Sequence, residues 1–299
     1  MYKHILFVFF IGLGCSKNKP TECNYISDYF PHIYEAEINF LLGEYEQAYE
    51  YYSLAFESCK ALRIGIFRDT DKYAKVCAIL GYEDQSIQFI RKSIRAGGKL
   101  EQFRKDTAFY QIFKSTKGQE IIVDYERMRE SFLNSLDLKL RDTLQQLIAL
   151  DLMHNMTESQ DSAFYENDKK LLSILKQFGY PNEKAIGPYN LDMQQSGPEI
   201  LLLHSTDSIR INHFIPMLKK YVSNGQCSPY ILGQVLDNYE LFHQKPQTHG
   251  TFGGVTSRYA NMIDDLKKVD FNRINIGLPS LEKQQLIDSL KQLKSNTPN

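Results

Sequence analysis

The chain has 299 residues, of which 42% are hydrophobic and 24% are charged, a composition that excludes a disordered chain and indicates a packed globular protein. Its 35 basic residues nearly balance its 36 acidic residues, and the net charge of −1 gives no field that would attract nucleic acid. The length leaves room for two domains of the usual size, about 100–200 residues each.

The N-terminus has the pattern of an export signal. A basic start at Lys3 is followed by the apolar run 5–13, which is too short for a membrane-spanning helix of about 20 residues. The run ends on Gly14-Cys15 and resembles the signal of a bacterial lipoprotein, with an ordinary secretory signal cut nearby as the alternative. The resemblance implies a signal peptide over residues 1–15, a lipid on Cys15 and a lipid-anchored protein of the bacterial cell envelope.

Gly43 marks a turn between two amphipathic helices. Apolar residues recur at helical spacing before it, at Tyr34, Ile38 and Leu41, and again after it in "YEQAYEYYSLAF". Glycine costs about 1 kcal/mol relative to alanine inside a helix but is preferred just after a helix ends. We therefore predict an antiparallel helical hairpin, in which small side chains such as Ala48 let the two backbones approach closely.

The same pattern returns 38 residues further on, where Gly81 takes the place of Gly43. Four more pairs of small or apolar residues match in register: Ala36 and Ala74, Ala48 and Ser86, Tyr52 and Ile90, Ala55 and Ser93. The pattern resembles the tetratricopeptide repeat, whose usual period is about 34 residues, with the extra residues in the loop "ALRIGIFRDT". This resemblance covers residues 30–116, where 97–113 is a degenerate closing segment, and it implies a protein or peptide partner.

Residues 16–29 begin with the polar stretch "SKNKPTE" and are predicted to tether the fold to the membrane. They contain Cys23, which lies just before the first helix of the hairpin, whereas Cys59 follows the second helix. Because the hairpin brings these two ends together, we predict a Cys23–Cys59 disulfide in an oxidising compartment. No Cys-x-x-Cys pattern occurs, so we expect neither a structural metal nor a cofactor.

The rest of the chain is also predicted to be helical. Residues 117–154 have a helical apolar pattern with few breakers, which indicates one long connecting helix with Ser135 as the point where an interruption would fall. Turn signals divide the following residues into shorter helices, over 162–178, 198–205, 207–224, 228–242 and 256–268, and after the N-cap residue Ser280. The sequence therefore predicts an all-α fold, with tetratricopeptide-like hairpins and a mainly α C-terminal domain over 155–290.

A second resemblance covers most of the C-terminal half. The matching pieces are Asp151, "GYPNEKAIG" (179–187), "LLLHS" (201–205), "IPMLKKYVSNG" (215–225), "LDNY" (236–239), "QTHGT" (247–251) and "VDFNRINIGLPSL" (269–281). Their order is similar to that in an uncharacterised bacterial domain family that often follows tetratricopeptide repeats in lipoproteins. Here His249 and Phe252 stand where the family has Tyr and Gln, and the family has no established activity to transfer.

Several polar residues in these pieces are candidates for a site. His204 follows three leucines, so it is either a core histidine or a general base, while His249 lies in a glycine-flanked loop and is the more accessible candidate. Asp237 and Arg273 suit a structural ion pair or a polar ligand. Polar groups on apolar helices are costly to bury unless they meet hydrogen-bonding partners. We therefore predict that at least three residues of the set His204, Asp237, Gln247, Thr251 and Arg273 converge on one cleft or polar network.

Three classes of function follow from these observations. The first is a membrane-anchored interaction protein, in which the repeats form a groove for a protein or peptide and the C-terminal domain completes it. The second is an enzyme or small-ligand-binding domain, for example a hydrolase, that uses His204 or His249. The third is a structural component of the envelope. No nucleophile elbow or phosphate-binding loop occurs in the sequence, and the repeats favour the interaction protein by analogy of fold.

Overall fold

A computed structural model describes residues 23–155, 160–253 and 262–296. Within these ranges the chain is helical almost throughout, with one two-stranded ladder, so the predicted all-α fold is confirmed. The expected lipidation site, Cys15, and its signal peptide lie outside the described residues. None of the helices in the described ranges is both long enough and apolar enough to cross a membrane.

The N-terminal half contains two helical hairpins and a closing segment. Its elements are α1 (Tyr25–Asp28), α2 (Phe30–Leu42), α3 (Tyr45–Ser58), β1 (Arg63–Ile64), β2 (Phe67–Arg68), α4 (Asp69–Ile79), α5 (Glu83–Arg95), α6 (Leu100–Lys105), a 3-10 turn (Thr107–Phe109) and α7 (Tyr110–Lys114). Helices α2 and α3 form the first hairpin, and α4 and α5 form the second. In the closing segment, Phe103 and Phe109 are buried, as expected for packing residues.

Both hairpins turn at the glycines that the repeat pattern identifies. Gly43 and Gly81 have φ angles of 88° and 79°, the left-handed conformation in which a side chain would be strained. Ala36, Ala48 and Ala55 are fully buried between α2 and the helices that pack on it, so the small side chains do allow a close approach. The two predicted helical hairpins are confirmed.

The chain before α2 packs more closely than a tether would. Tyr25 and Tyr29 are both buried, although the sequence placed them in a tether that extends to residue 29. Their rings lie 4.9 Å apart, and the Tyr29 ring meets Phe30 edge to face at 5.6 Å, which adds aromatic contacts to the core. The packed part of the chain therefore begins at residue 23 at the latest.

The loop between the hairpins holds the only strands in the described part of the chain. In β1 and β2, Arg63 pairs with Arg68 and Ile64 with Phe67 in an antiparallel register. Ile64 and Phe67 are buried, whereas Ile66 at the tip is 64% exposed. The sequence indicated a plain loop here, because two-residue strands leave no period to detect.

The connecting helix is interrupted at the position that the sequence marked. Helix α8 covers Thr116–Asn134 and α9 covers Leu138–His154, with the break after Ser135. Asp137 caps α9, since its side chain accepts a hydrogen bond from the amide of Leu140 at 2.8 Å. A single continuous helix over 117–154 is therefore not formed.

The C-terminal half is a set of shorter helices. They are α10 (Gln160–Phe178), α11 (Glu183–Ile186), a 3-10 turn (Tyr189–Leu191), α12 (Glu199–Leu203), α13 (Asp207–Ile209), a π-helical turn (Arg210–Phe214), α14 (Ile215–Ser223), α15 (Pro229–Phe242), α16 (Leu266–Asn275) and α17 (Leu281–Asn296). Ser280 caps α17 as predicted, with its hydroxyl 3.2 Å from the amide of Lys283. Of the helix predicted over 256–268, the structure describes residues 262–268, and only 266–268 are helical, because α16 begins at Leu266 after the N-cap Asp265.

The last helix packs against the first hairpin and joins the two halves. Lys283 and Lys291 of α17 pair with Glu35 and Glu37 of α2, and the Lys294 ammonium lies 5.1 Å from the centre of the Phe40 ring. Helix α2 therefore faces the C-terminal half, and residues of α2 and α4 line a cleft between the two halves.

Candidate functional site: a cleft between the two halves

Four of the five residues predicted to converge lie in one polar network. They are Asp237, Gln247, Thr251 and Arg273. At its centre, the Asp237 carboxylate accepts hydrogen bonds from the backbone amides of Thr248, His249 and Thr251 at 2.7–2.8 Å. The Thr251 hydroxyl donates to the same carboxylate at 2.8 Å. The prediction of convergence is met, but His204 lies elsewhere.

Arg273 holds the same loop from its other side. Its guanidinium donates to the carbonyl of His249 at 2.7 Å and to that of Pro279 at 2.6 Å. Arg273 thus binds the main chain rather than Asp237, and the direct ion pair suggested by the sequence is not what the structure shows. Gln247 closes the loop, since its side chain accepts from the amide of Phe252 at 2.8 Å.

This network is sealed from solvent. The exposed fractions of Asp237, Gln247 and Arg273 are 0%, 2% and 1%. Burial raises the pKa of Asp237, but hydrogen bonds from His249 and Thr251 outweigh it and leave the pKa below its usual value. His249, expected to be accessible in its glycine-flanked loop, is 6% exposed, and its Nδ1 lies 2.8 Å from the Thr248 hydroxyl. These residues hold the loop in place and offer no room for a substrate.

His204 belongs to a second cluster. It ends α12, which packs against α9 and α10, and its Nδ1 lies 2.5 Å from the buried carboxylate of Asp151. Its ring stacks on Phe164 with the centroids 5.1 Å apart, and its side chain is 24% exposed. Because an ionised carboxylate only accepts hydrogen bonds, Nδ1 is the donor in this contact.

The neighbouring carboxylate, Asp168, is occupied by the turn that follows His204. It accepts hydrogen bonds from the amide and the hydroxyl of Thr206 at 2.7 and 2.6 Å. Burial raises the pKa of Asp168 to about 6, although these hydrogen bonds oppose the shift. Arg210 holds the other side of the turn through the carbonyl of Ser205 at 2.6 Å.

A cleft of about 710 Å³ lies between the two halves of the described chain. Its apolar walls come from Ile33, Ile64 and Phe67 in the N-terminal half and from Tyr180, Tyr230, Ile231 and Ile287 in the C-terminal half. Its polar lining includes Glu37, Asp69, Lys72, Glu199, Gln284 and Lys291. Small-molecule and peptide sites have this size and this mixture of apolar walls and a few polar groups.

The basic groups of the cleft are already paired. Lys72 and Lys291 each bind one carboxylate oxygen of Glu37, Lys291 at 3.3 Å. Burial raises the pKa of Glu37, but the two lysines outweigh it and lower the pKa overall. Two ammonium groups thus share the carboxylate of Glu37 at this end of the cleft.

Two other carboxylates of the cleft have a tyrosine hydroxyl as partner. Asp69 accepts from Tyr29 at 2.6 Å, and Glu199 accepts from Tyr180 at 2.9 Å. Burial raises the pKa of Asp69 to about 7 and also raises the pKa of Glu199. The positive charge of Lys72 already acts on Asp69, whereas Glu199 forms no ion pair with the described residues. A buried carboxylate without a cation is costly, so Glu199 would gain from a positively charged ligand.

Each cysteine that the structure describes is either bridged or buried. Cys23 and Cys59 form a disulfide with their Cα atoms 5.4 Å apart, the pairing that the hairpin geometry indicated. Cys77 and Cys227 are free and buried, and burial raises the pKa of the Cys77 thiol to about 12, which suppresses thiolate chemistry. Among residues 23–155, 160–253 and 262–296, no group of three or more His, Cys, Asp or Glu side chains could hold a metal ion.

The cleft residues were not among the candidates taken from the sequence. Glu37 and Asp69 lie on α2 and α4, where the repeat pattern directs attention to the small and apolar positions. Glu199 opens the short helix that ends at His204, and the glycine and proline beside it read as an ordinary turn. No local signal identifies these residues, because the cleft exists only where separate segments meet.

No protein-family model matches this chain, and it matches no curated protein and no solved structure.

Proposed function

We propose that this protein binds a short peptide segment of a partner protein in the cleft between its two halves. The observation that carries the proposal is the cleft itself, about 710 Å³ in volume, with walls from both hairpins and from α11, α12, α15 and α17. Aromatic and aliphatic walls suit apolar side chains, and amide groups such as Gln195, Gln226 and Gln234 suit a peptide backbone.

The binding role also agrees with what the polar clusters do. Asp237 and Arg273 are buried and engaged with the protein's own main chain, so they present no exposed group to a substrate. By contrast, the cleft has polar groups that face an opening large enough to receive a ligand. We further propose that a lipid on Cys15 anchors this binding module in the bacterial cell envelope, where its partner would be found.

Photo-crosslinking tests the proposal directly. A photoreactive benzoyl-phenylalanine at Gln195, which lines the cleft, should yield a covalent adduct in cells whose mass spectrum maps to one recurring peptide segment. The same group at Val123, which is 83% exposed on α8, should not yield that adduct. If both positions give the same adducts, or neither gives one, the cleft is not the binding site.

A cavity-filling variant is the matched test. Gln234→Trp places an indole in the cleft and should abolish the adduct, whereas Gln234→Ala removes side-chain volume and should retain it. Both variants should keep the melting temperature of the wild type within a few degrees. An adduct that persists in a folded Gln234→Trp protein would contradict binding in the cleft.

His204 supports a second candidate, acid–base catalysis by an enzyme of the hydrolase class. The supporting observation is the Asp151–His204 pair, in which a buried carboxylate fixes a partly exposed imidazole. His204→Gln should then abolish hydrolysis of a chromogenic ester, while the exposed control His243→Gln should not. Equal rates for both variants and the wild type would remove this candidate.

A further inference from the structure

We propose that the cleft recognises a basic side chain, lysine or arginine, and that Glu199 is the residue that anchors its charge. This inference rests on the proposed peptide-binding function and specifies the chemistry of the peptide.

The cleft presents hydrogen-bond acceptors that lack cationic partners. The Glu199 carboxylate is desolvated and accepts from the Tyr180 hydroxyl, and it forms no ion pair with a Lys or Arg of the described chain. The Oε1 atom of Gln284 is buried and has no hydrogen-bond partner among the described residues, while Nε2 donates to Asp288. A buried acceptor without a donor costs about 1–3 kcal/mol, and an ammonium or guanidinium supplies the missing donors.

The charges that line the cleft also favour a cationic ligand over an anionic one. Five carboxylates line the cleft: Glu37, Asp69, Glu183, Glu199 and Asp288. The basic side chains of the lining are Lys72 and Lys291, both bound to Glu37, and Arg68 neutralises Glu183 from outside the lining. Because acidic groups outnumber basic ones, an anionic peptide would meet net repulsion and a cationic one net attraction.

The walls of the cleft, which include the Glu199 partner Tyr180, suit the stem of a long basic side chain. Tyr180, Tyr189 and Tyr230 line the cleft together with Pro181. Aromatic faces attract a cation by about 0.5–2 kcal/mol, and the methylene stems of lysine and arginine pack well on apolar surfaces. A lysine or arginine therefore satisfies both the acceptors and the walls.

Three pools of blocked pentapeptides test this inference. Each pool has a fixed central residue, lysine, norleucine or glutamate, flanked by the same mixture of apolar residues, and retention on the full soluble chain is measured by mass spectrometry. The lysine pool should be retained at least tenfold more than the norleucine pool, and the glutamate pool should be retained least. Glu199→Gln should remove the preference for lysine over norleucine, and the exposed control Glu130→Gln should leave it unchanged.

The outcomes separate this inference from the proposed function. Equal retention of lysine and norleucine pools by the wild type would overturn recognition of a basic group and leave peptide binding standing. Retention of no pool would overturn both. Because Glu199→Gln replaces a buried charge by a neutral amide that can still accept from Tyr180, the variant should melt no lower than the wild type. If it unfolds, Gln284→Met, which removes the unpaired acceptor, provides the second test and should lower lysine retention several-fold.

Discussion

Asp237 and Arg273 hold the main chain of one residue, His249, the first through its amide and the second through its carbonyl. The Asp237 carboxylate accepts from the amide of His249 at 2.7 Å, and the Arg273 guanidinium donates to the carbonyl of His249 at 2.7 Å. A loop that would otherwise need water for its polar groups is thereby packed inside the protein.

Replacing Asp237 with asparagine should destabilise the fold strongly. Asparagine has an NH2 group in place of one carboxylate oxygen. In one orientation of the side chain this NH2 group faces the main-chain amide and the hydroxyl of Thr251, and in the flipped orientation it faces those of Thr248. In both cases buried donors would lose their acceptor. We expect Asp237→Asn to lower the free energy of unfolding by about 3–5 kcal/mol, measured by chemical denaturation. The control Asp264→Asn, on an exposed residue, should change it by less than about 0.5 kcal/mol. A loss below about 1 kcal/mol for Asp237→Asn would contradict this role.

Asp69 should make stability depend on pH. Its pKa is about 7 in the folded protein and about 4 in an unfolded chain, so the folded state binds the extra proton between these values. Stability therefore falls as pH rises through this window, by up to about 1.4 kcal/mol per pH unit. Asp69→Asn should remove this part of the dependence, and the variant should gain about 2–3 kcal/mol relative to the wild type between pH 5 and 8. If the free energy of unfolding of the two proteins depends on pH in the same way, the pKa of Asp69 is not raised.

The Cys23–Cys59 disulfide should contribute to stability through the unfolded chain. The bridge spans 36 residues, for which the chain-entropy model gives about 4 kcal/mol. A reducing agent should therefore lower the melting temperature of the wild type by about 6–8 °C. The double variant Cys23→Ala, Cys59→Ala should melt at this lower temperature with or without reductant. Insensitivity of the wild type to reductant, with a mass that shows free thiols, would count against the bridge.

Cys15 should determine where the protein fractionates. Cys15→Ser should move the protein from the membrane fraction into the soluble periplasmic or culture fraction, because a lipid anchor needs the thiol. Ser16→Ala, a change beside the anchor, should leave the membrane fraction unaltered. Unchanged fractionation of Cys15→Ser would refute the lipoprotein interpretation.

The sequence predicted the elements whose cause is local. Gly43 and Gly81 end helices because their backbone is left-handed, and that requirement is visible in the residue type. The grouping of Asp237, Thr251 and Arg273 was also foreseeable, since buried polar groups must find one another. Such features follow from the type of a single residue or from the free-energy cost of burying a polar group without a partner.

The remaining features depend on how distant segments meet. His204 was assigned to the wrong cluster because α12 packs on α9 and α10, a contact that no spacing in the sequence records. The cleft was missed for the same reason, since Asp69 and Glu199 are 130 positions apart in the chain and lie on opposite walls. Polarity indicated that partners were needed, but only the packing of the helices decides which partners are available.

The contact between α2 and α17 links the start of the described chain to its end, and this has a consequence for synthesis. A chain emerging N-terminus first exposes the α2 face around Phe40 until Lys294, which lies over this ring, is made 254 residues later. The first hairpin can form early from local contacts, but the surface that it turns to α17 stays uncovered until that helix follows. A stalled or truncated product lacking α17 would present this surface to other chains, and such fragments should be the species that aggregate or recruit chaperones.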